Sequence, residues 1–454
     1  MKTTRRNFLK TLLSGTASLS TAGAALGSLS LMKSALAQSS SQFDDHKALV
    51  CIFLFGGNDS FNMLVPTANA DYQAYQGVRQ NLAFSQENLL AISPATEQAY
   101  PLGMPSAMAP LHQLFTENKL AILANTGPLL QPVTKSQALA NEKLLPPQLF
   151  SHNDQQKHWQ TSWPEQRAST GWSGRMADLL MDTASPLSMN YSLFGNNLWQ
   201  TGTSAIPYSI NASGVEHLAA LDPEKQWNSQ RIEVFNQLVN SSNHLLAQGY
   251  ADIVRRTQAN ISTVSAAINS APETGIDYPQ TDIARQLKMV ASLCSVQQLL
   301  GQQRQIFFVG MGGFDTHDAQ ASTHPVLLQT LSQALFAFQQ DLEALGLAEQ
   351  VTSFTMSDFG RTLTSNGDGT DHGWGGHQMI LGGAVKGGDI YGTLPEDLRL
   401  NSIDDLADGR MIPSTSVDQY AATLSRWFGL SENEINGVLP NLSRFNTRDL
   451  SFMK

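Results

Sequence analysis

The sequence predicts an α/β fold with a doubly wound, mostly parallel β-sheet and a partly helical cap. Apolar runs that end in polar, glycine-bearing loops recur along the chain, and amphipathic helical patterns lie between them. Such runs are typical of strands buried on both faces, and their alternation with helices is typical of parallel sheets. The chain has 454 residues, of which 41% are hydrophobic and 15% charged, so it is long enough for a large core.

The elements are predicted in chain order from these patterns. The run "KALVCIFLFGG" predicts a first strand because it ends in paired glycines. Residues 107–118 form an amphipathic helix that leads into a second strand at 120–125, which makes half of a βαβ unit. Later elements repeat this pattern and are a helix at 282–303, a strand at 305–310, a helix at 325–345 and a strand at 351–356. The stretch "SVDQYAATLSRWFGL" predicts a last helix, capped by Ser416 or Asp418 and ending near Gly429.

The domain organisation follows from the irregular parts of the chain. Residues 38–454 are predicted to form one domain, in which residues 150–280 are an insertion or cap over one edge of the sheet. Residues 1–37 have the pattern of a twin-arginine export signal, with Arg5 and Arg6 before a weakly apolar stretch and a small-x-small cleavage site. We therefore expect transport by the twin-arginine translocase, cleavage without a stable membrane span, and a periplasmic or secreted protein.

Charge and cysteine content narrow the function classes. The formal net charge is −10, and the predicted signal carries only basic charges, so the mature chain is more acidic still. This balance opposes nucleic-acid binding, which depends on Lys and Arg. Cys51 and Cys294 either form a disulfide in an oxidising compartment or are two small buried side chains.

Polar side chains follow three of the predicted strands. They are Asp59 and Ser60 in "GGNDS", Asp315 and His317 in "GGFDTHD", and Asp358 and Arg361 in "SDFGRT". Because ligands bind at the carboxyl ends of parallel strands, we expect these loops to converge on one site.

Each of these residues has more than one interpretation. Asp59 could bind a cation or cap the next segment, and Ser60 could be a nucleophile activated by that cation or a cap. Arg361 could clamp an oxyanion or pair with Asp358.

Histidines add a second indication of a metal site. Asp315 and His317 are two residues apart, and a carboxylate with an imidazole suits zinc, manganese or iron better than calcium. In "GTDHGWGGH", Asp371, His372 and His377 follow a flexible turn, and we expect at least one of these two histidines to be a ligand.

A further polar cluster lies in "SHNDQQKHWQ". His152, Asp154 and His158 in this stretch either line the site or are solvated loop residues.

Several motifs taken together resemble one family. In chain order they are "FLFGGNDSFNMLVP", "SHNDQQKHWQ", "TGWSGR", "GGFDTH", "SDFGRT", "GTDHGWGGH" and "LGGAVKGGDIYG". Over residues 46–430 the sequence is similar to the exported bacterial family called domain of unknown function 1501. That family is grouped with the alkaline phosphatase and sulfatase superfamily, so the resemblance implies an alkaline phosphatase-like sheet with metal-binding Asp and His at the strand ends.

The resemblance also implies residue roles. Asp59 is similar to the superfamily's first-strand metal aspartate, and Ser60 lies beside the position of a nucleophile. Asp315 and His317 resemble a second ligand group, although the superfamily's spacing is usually wider. Asp358 resembles the aspartate of a Ser-Asp-His-Gly strand end.

One residue departs from the superfamily pattern. Phe359 stands where that strand end has a histidine, so a complete two-metal site requires a histidine from another loop. We expect His372 and His377 both to face the cluster of carboxylates, at least one of them as a ligand.

Two functions follow as hypotheses. The first is a hydrolase or transferase that acts on a phosphate or sulfate ester of a small molecule or polymer, with one or two divalent ions, zinc or manganese, and Ser60 or water as nucleophile. The alternative is a non-catalytic periplasmic binding or assembly protein on a degenerate phosphatase-like fold, since Phe359 interrupts the ligand pattern and no clear nucleophile is visible.

Overall fold

The computed structural model describes residues 43–181, 187–215, 225–240 and 260–454. The fold described below is that of the compact unit Asp45–Met181 and Pro186–Lys454. The predicted export signal over residues 1–37 lies outside the described residues. Within them, no helix is both long enough and apolar enough to cross a bilayer.

Nine of the described strands form one mixed sheet, in the order β11-β5-β10-β9-β1-β8-β6-β7, with β12 also paired to β5. A smaller antiparallel sheet has the order β2-β4-β3. The strands are β1 Lys47–Leu54, β2 Val65–Pro66, β3 Leu89–Ala91, β4 Leu102–Pro105, β5 Leu120–Gly127, β6 Asn190–Ser192, β7 Tyr208–Ser209, β8 Arg304–Met311, β9 Val351–Ser357, β10 Gly376–Leu381, β11 Ile390–Tyr391 and β12 Thr415–Ser416.

Strand β1 lies at the centre of the sheet and is parallel to both neighbours. Leu49 pairs with Ile306 of β8 and with Thr352 of β9. Strand β10 is antiparallel to β9 and to β5, whereas β11 and β12 are parallel to β5. The predicted α/β fold with a mostly parallel sheet is confirmed.

Helices cover both faces of this sheet. The helices whose bounds lie within the described residues are α1 Asn69–Arg79, α2 Ala109–Thr116, α3 Lys135–Ala140, α4 His152–Thr161, α5 Trp172–Leu180, α6 Ser229–Asn240, α7 Asp282–Ser295, α8 Gln320–Ala344, α9 Val417–Phe428 and α10 Glu432–Val438. On one face, Val50 of β1 belongs to an apolar cluster with Leu287 of α7 and Leu331 of α8. On the other, Phe354 of β9 packs against Trp172 of α5 and Tyr420 of α9. Burial on both faces explains the uninterrupted apolar strands.

The two cysteines do not form a disulfide. Both are free and buried. Cys294 belongs to the apolar cluster that contains Val50 and Ile52, and Cys51 lies between those two residues on β1, so its side chain points to the opposite face. Burial raises the pKa of both thiols. The interpretation as two small buried side chains is therefore the correct one.

Two helices differ from their predicted bounds by five residues or more, whereas α2 is shorter than predicted by two residues at each end. Helix α8 begins at Gln320, five residues before Pro325, so this proline lies inside the helix, where it removes one backbone hydrogen bond. Helix α7 ends at Ser295 rather than 303, and tight turns follow up to Gly301, which has a φ of 63°. The predicted capped helix is confirmed as α9, in which Ser416 forms a capping box with Gln419, but it is not the last helix because α10 follows it.

Part of the region predicted as an insertion joins the main sheet. Within residues 150–280, strand β6 pairs with β8 and strand β7 pairs with β6. The same region contributes α4, which lies against β9 and carries His152 at its first position.

Candidate metal centre

Four loops meet at one edge of the sheet. Three of them follow the carboxyl ends of β1, β8 and β9, and the fourth precedes β10, whose antiparallel direction brings its start to the same edge. Arg361 joins three of these loops, since Nη1 donates to Gly56 O at 2.8 Å and to Asp315 Oδ1 at 3.0 Å. Gly56 has a φ of 112°, and a Cβ there would lie 2.3 Å from Asp315 N, so this approach requires glycine. The predicted convergence of these loops is confirmed.

Four side chains from these loops and from α4 come together. His152, Asp315 and His372 each offer one ligand atom, and those three atoms lie within 4.8 Å of one another. Asp315 Oδ2 is 3.5 Å from His152 Nε2, and Oδ1 is 3.6 Å from His372 Nε2. His317 Nε2 is 3.0 Å from Asp315 Oδ1 and 2.9 Å from His372 Nε2. We call these four residues the His–Asp cluster.

The second nitrogen of each imidazole is held by an oxygen acceptor. The pairs are His152 Nδ1 with Asp358 Oδ2 at 2.7 Å, His317 Nδ1 with Asp371 Oδ1 at 3.2 Å, and His372 Nδ1 with Phe150 O at 2.6 Å. When Nδ1–H donates to such an oxygen, the lone pair of the neutral ring is on Nε2. Metal-ligating histidines are oriented by this kind of contact.

The spacing of the donor atoms fits one divalent ion. Tetrahedral zinc makes bonds of roughly 2.0–2.1 Å to nitrogen and oxygen, so its ligand atoms are roughly 3.3 Å apart. The distances from Asp315 to the three imidazoles and between His317 and His372 span 2.9–3.6 Å, and one ligand atom each of His152, Asp315 and His372 lies within 4.8 Å of the other two. Imidazole with carboxylate is a donor set for zinc, manganese or iron. The His–Asp cluster can therefore hold a divalent metal ion.

The charges around the cluster favour an ionised carboxylate at Asp315. Partial burial by itself raises the pKa of Asp315, but the hydrogen bond and charge of Arg361 outweigh it and the net direction is downward. The hydrogen bond that His152 donates to Asp358 raises the pKa of His152, whereas burial lowers the pKa of His372.

Asp358 and Phe359 contact the histidines of the His–Asp cluster. The Asp358 side chain is fully buried and accepts hydrogen bonds from His152 and from Gln156 Nε2, the latter at 3.0 Å. The Phe359 ring lies 4.9 Å from the His152 ring and 4.6 Å from the His372 ring, measured between centroids. The structure thus brings His152 and His372 together over Phe359, and Asp358 orients His152.

Asp59 is placed in a buried ion pair. Its Oδ2 contacts Arg79 Nη2, and neither side chain is exposed. The same oxygen accepts from Gln320 Nε2 at 2.5 Å, while Oδ1 is buried with no hydrogen-bond partner among the described residues. A guanidinium therefore provides the positive charge beside this carboxylate.

Ser60 and His377 form a hydrogen bond with each other. Among the described residues, their contacts do not include the side chains of the His–Asp cluster. The Ser60 hydroxyl is buried and accepts from His377 N at 2.6 Å. His377 Nδ1 accepts from Asn125 N at 3.1 Å, and its ring lies edge-on to Phe61. Burial lowers the pKa of His377 to about 3.

Arg361 and Asp371 have positioning contacts. Arg361 is buried and donates to Asp315, whereas Asp358 accepts from His152. Of the two interpretations of Arg361, the pairing with Asp358 is therefore not the contact that the structure shows. Asp371 is half-exposed and holds His317.

His152 is the ligand candidate that the sequence singled out only as part of a polar cluster. It shares helix α4 with His158, but six residues along a helix turn a side chain by about 240°, so the two face different directions. His158 is buried, which lowers its pKa to about 4. Asp154 accepts from Ser151 Oγ at 2.8 Å near the start of α4.

A family profile described as "Protein of unknown function (DUF1501)" matches residues 46–439. The chain belongs to the DUF1501 family. Among curated proteins, no sequence matches significantly.

Solved structures show weak similarity to this DUF1501 protein. The crystal structure of Ps i-CgsB has 9% identity and a TM-score of 0.36, covering 89% of this chain and 77% of that one. The soluble domain of lipooligosaccharide phosphoethanolamine transferase A from Neisseria meningitidis has 8% identity and a TM-score of 0.31, covering 91% and 96%. TM-scores below 0.5 do not establish a common fold.

Proposed function

We propose that the protein is a metal-dependent hydrolase or transferase that acts on a phosphate or sulfate ester and is exported through the twin-arginine translocase to the periplasm. The observation that carries the proposal is the His–Asp cluster, in which three imidazoles present Nε2 toward one carboxylate. Its position at the carboxyl ends of parallel strands is where α/β proteins bind ligands.

One divalent ion at this cluster would supply Lewis-acid polarisation of an ester oxygen and activation of a nucleophile. His152, His317, His372 and Asp315 would hold it. Asp315 and His317 have side chains that are 46% and 41% exposed, so an ester can reach the cluster from solvent. A small-molecule ester and a polymer end are both compatible with this access.

The chain's other residues would fix the geometry of the site. Arg361 donates to Asp315, and its remaining donors bind Gly56 O and Thr370, so it orients the carboxylate instead of reaching toward solvent. Ser60 is buried, and its hydroxyl accepts a hydrogen bond from His377 N. Water, or the hydroxyl of a substrate that accepts the transferred group, is therefore favoured over Ser60 as the nucleophile.

The alternative is a non-catalytic periplasmic binding or assembly protein that keeps this fold. The buried ion pair of Asp59 with Arg79 favours it, because it removes a carboxylate that a two-metal ester hydrolase would use. One metal ion could then serve only to hold α4 against the sheet.

Turnover separates these two functions. Mature protein prepared without chelator is assayed with aryl phosphate, phosphodiester and sulfate substrates in the presence of zinc or manganese. We expect turnover that His372→Ala reduces at least about 100-fold, since a ligand lost from a catalytic ion removes transition-state stabilisation. The control is His112→Ala, which lies on α2 and contacts Ala91 O. Turnover that His372→Ala leaves unchanged would contradict the proposal.

A further inference from the structure

The buried ion pair of Asp59 and Arg79 is connected to the His–Asp cluster through hydrogen bonds. Burial of a charged pair is unfavourable unless its remaining polar atoms are bonded. Arg79 Nη1 donates to Thr362 O at 3.0 Å and Asp59 Oδ2 accepts from Gln320, whereas Arg79 Nε and Asp59 Oδ1 have no partner among the described residues. The pair thus lies beneath the loop that carries Arg361.

Gln320 is the first link of this connection. Its amide nitrogen donates to Asp59 Oδ2 at 2.5 Å, and its Oε1 accepts from the hydroxyls of Thr370 at 2.6 Å and Thr316 at 3.0 Å. All of these side chains are buried.

Thr370 is the second link. Its hydroxyl accepts from Arg361 Nε at 2.8 Å, and its carbonyl accepts from Arg361 Nη2 at 2.5 Å. Arg361 Nη1 then donates to Asp315, a member of the His–Asp cluster. The path from Asp59 to Asp315 is continuous.

The direction of each hydrogen bond along the path is fixed from both ends, by the Asp59 carboxylate paired with Arg79 and by the Arg361 guanidinium, which can only donate. A carboxylate only accepts, so the Gln320 amide must turn its NH₂ to Asp59 and its oxygen to Thr370. A threonine hydroxyl has one proton, and Thr370 donates that proton to Gln320. Its lone pairs therefore face Arg361, which needs an acceptor. Reversing any one link would leave a buried polar group unsatisfied.

We propose that Asp59, together with Arg79, is a positioning residue of the metal centre: it acts through Gln320 and Thr370 to hold Arg361, and thereby Asp315, in the ligating orientation. This inference rests on the proposed metal centre, but not on ester turnover. Outer-shell contacts of this kind typically contribute 10–100-fold to metal affinity.

Two buried threonines provide a matched pair of variants. Thr370 and Thr316 both donate to Gln320 Oε1, but only Thr370 also accepts from Arg361. Thr370→Val therefore interrupts the path, whereas Thr316→Val removes a hydrogen bond of the same kind beside it. Thr370→Ser keeps the hydroxyl and serves as the rescue variant. Asp59→Asn is less suitable alone, because it leaves Arg79 buried without a counter-charge.

The experiment measures zinc affinity by competition with a chromophoric chelator on the full mature chain, with the melting temperature of the metal-free protein as the folding control. We expect Thr370→Val and Gln320→Leu to weaken zinc binding by about 10–100-fold. Thr316→Val and Thr370→Ser should stay within about twofold of wild type.

Two outcomes would overturn the inference: Thr370→Val binding zinc like wild type, or Thr316→Val losing as much affinity as Thr370→Val at equal melting temperature. If wild type binds zinc and the variants follow the expected order while no ester is turned over, the proposed function fails and the positioning role stands. If wild-type protein binds no zinc, both fail.

Discussion

At the scale of single residues, the proposed metal binding depends on the orientation of three imidazoles more than on their number. His152, His317 and His372 are each fixed by an acceptor at Nδ1, and two of these acceptors are carboxylates. Such a contact raises the basicity of the ligand and restricts its rotation. Asp358 is the most buried of these acceptors, with a fully buried side chain.

Asp358→Asn should therefore weaken metal binding without removing a ligand. The amide keeps the size of the side chain but loses the charge that holds His152 Nδ1–H, so we expect zinc affinity to fall about 10–100-fold with a stoichiometry still near one ion. Isothermal titration of the mature protein checks this. As a control, Asp154→Asn changes a carboxylate on the same helix that contacts Ser151 instead of the cluster. Complete loss of binding, as expected for a direct ligand, would contradict the role assigned to Asp358.

At the scale of elements, the His–Asp cluster joins parts of the chain that are distant in sequence. Asp315 and His317 follow β8, and His372 precedes β10, whereas His152 begins helix α4. The carbonyl of Phe150, just before α4, holds His372. A bound ion would therefore fasten α4 and the residues before it to the edge of the sheet.

Hydrogen exchange should show that a bound ion stabilises α4 and the residues before it. At a zinc concentration of about 100 times Kd, binding stabilises the bound state by about 2.7 kcal/mol, so we expect amides of residues 150–161 to exchange up to about 100-fold more slowly than in chelator. Helix α9, which packs against Phe354 through Tyr420, provides the internal control. If zinc does not change the protection of residues 150–161, or if zinc still protects them in His152→Ala, the claim that a bound ion holds α4 to the sheet is contradicted.

The strands and their polar loops were predictable because their signals are local. Uninterrupted apolar runs such as "KALVCIFLFGG" follow from burial on both faces, and the convergence of Asp315 with Arg361 follows from parallel strand direction. The partner of Asp59 was not predictable in this way, because no sequence motif distinguishes Arg79 from the other arginines. Its contact with Asp59 depends on where helix α1 lies. The role of His152 likewise depends on where α4 docks, which no short motif encodes.

At the scale of the whole molecule, buried histidines determine the response to acid. Burial lowers the pKa of His158 and His324 to about 4 and that of His377 to about 3, from 6.5. Unfolding exposes these rings, and below pH 6.5 each exposed ring binds a proton that the same ring does not bind in the folded state. Their contribution to stability is complete above pH 6.5 and is lost as the pH falls toward 4. Asp418 acts in the opposite direction, because burial raises its pKa from 3.8 to about 7, and unfolding releases its proton in that range.

The metal-free protein should therefore lose stability between pH 6 and pH 4. For these four groups, three protons taken up and one released give a net uptake of about two, which corresponds to about 3 kcal/mol per pH unit. Urea unfolding in chelator at several pH values measures this slope. The variant Asp418→Asn removes the opposing contribution, so its stability should exceed that of wild type most clearly above pH 7. A free energy of unfolding that rises as the pH falls from 6 to 4 would contradict this account.

The central claim, that one divalent ion is held by the His–Asp cluster, is tested most directly by anomalous diffraction from crystals of the mature protein grown with zinc or manganese. The account predicts a single peak at the carboxyl edge of the sheet, bonded at about 2.0–2.2 Å to Nε2 of His152, His317 and His372 and to an oxygen of Asp315. The Asp59–Arg79 pair should remain intact beneath it, with no ion bound to Asp59. A peak coordinated by Asp59 or Asp358, or an empty cluster at saturating metal, would contradict the claim.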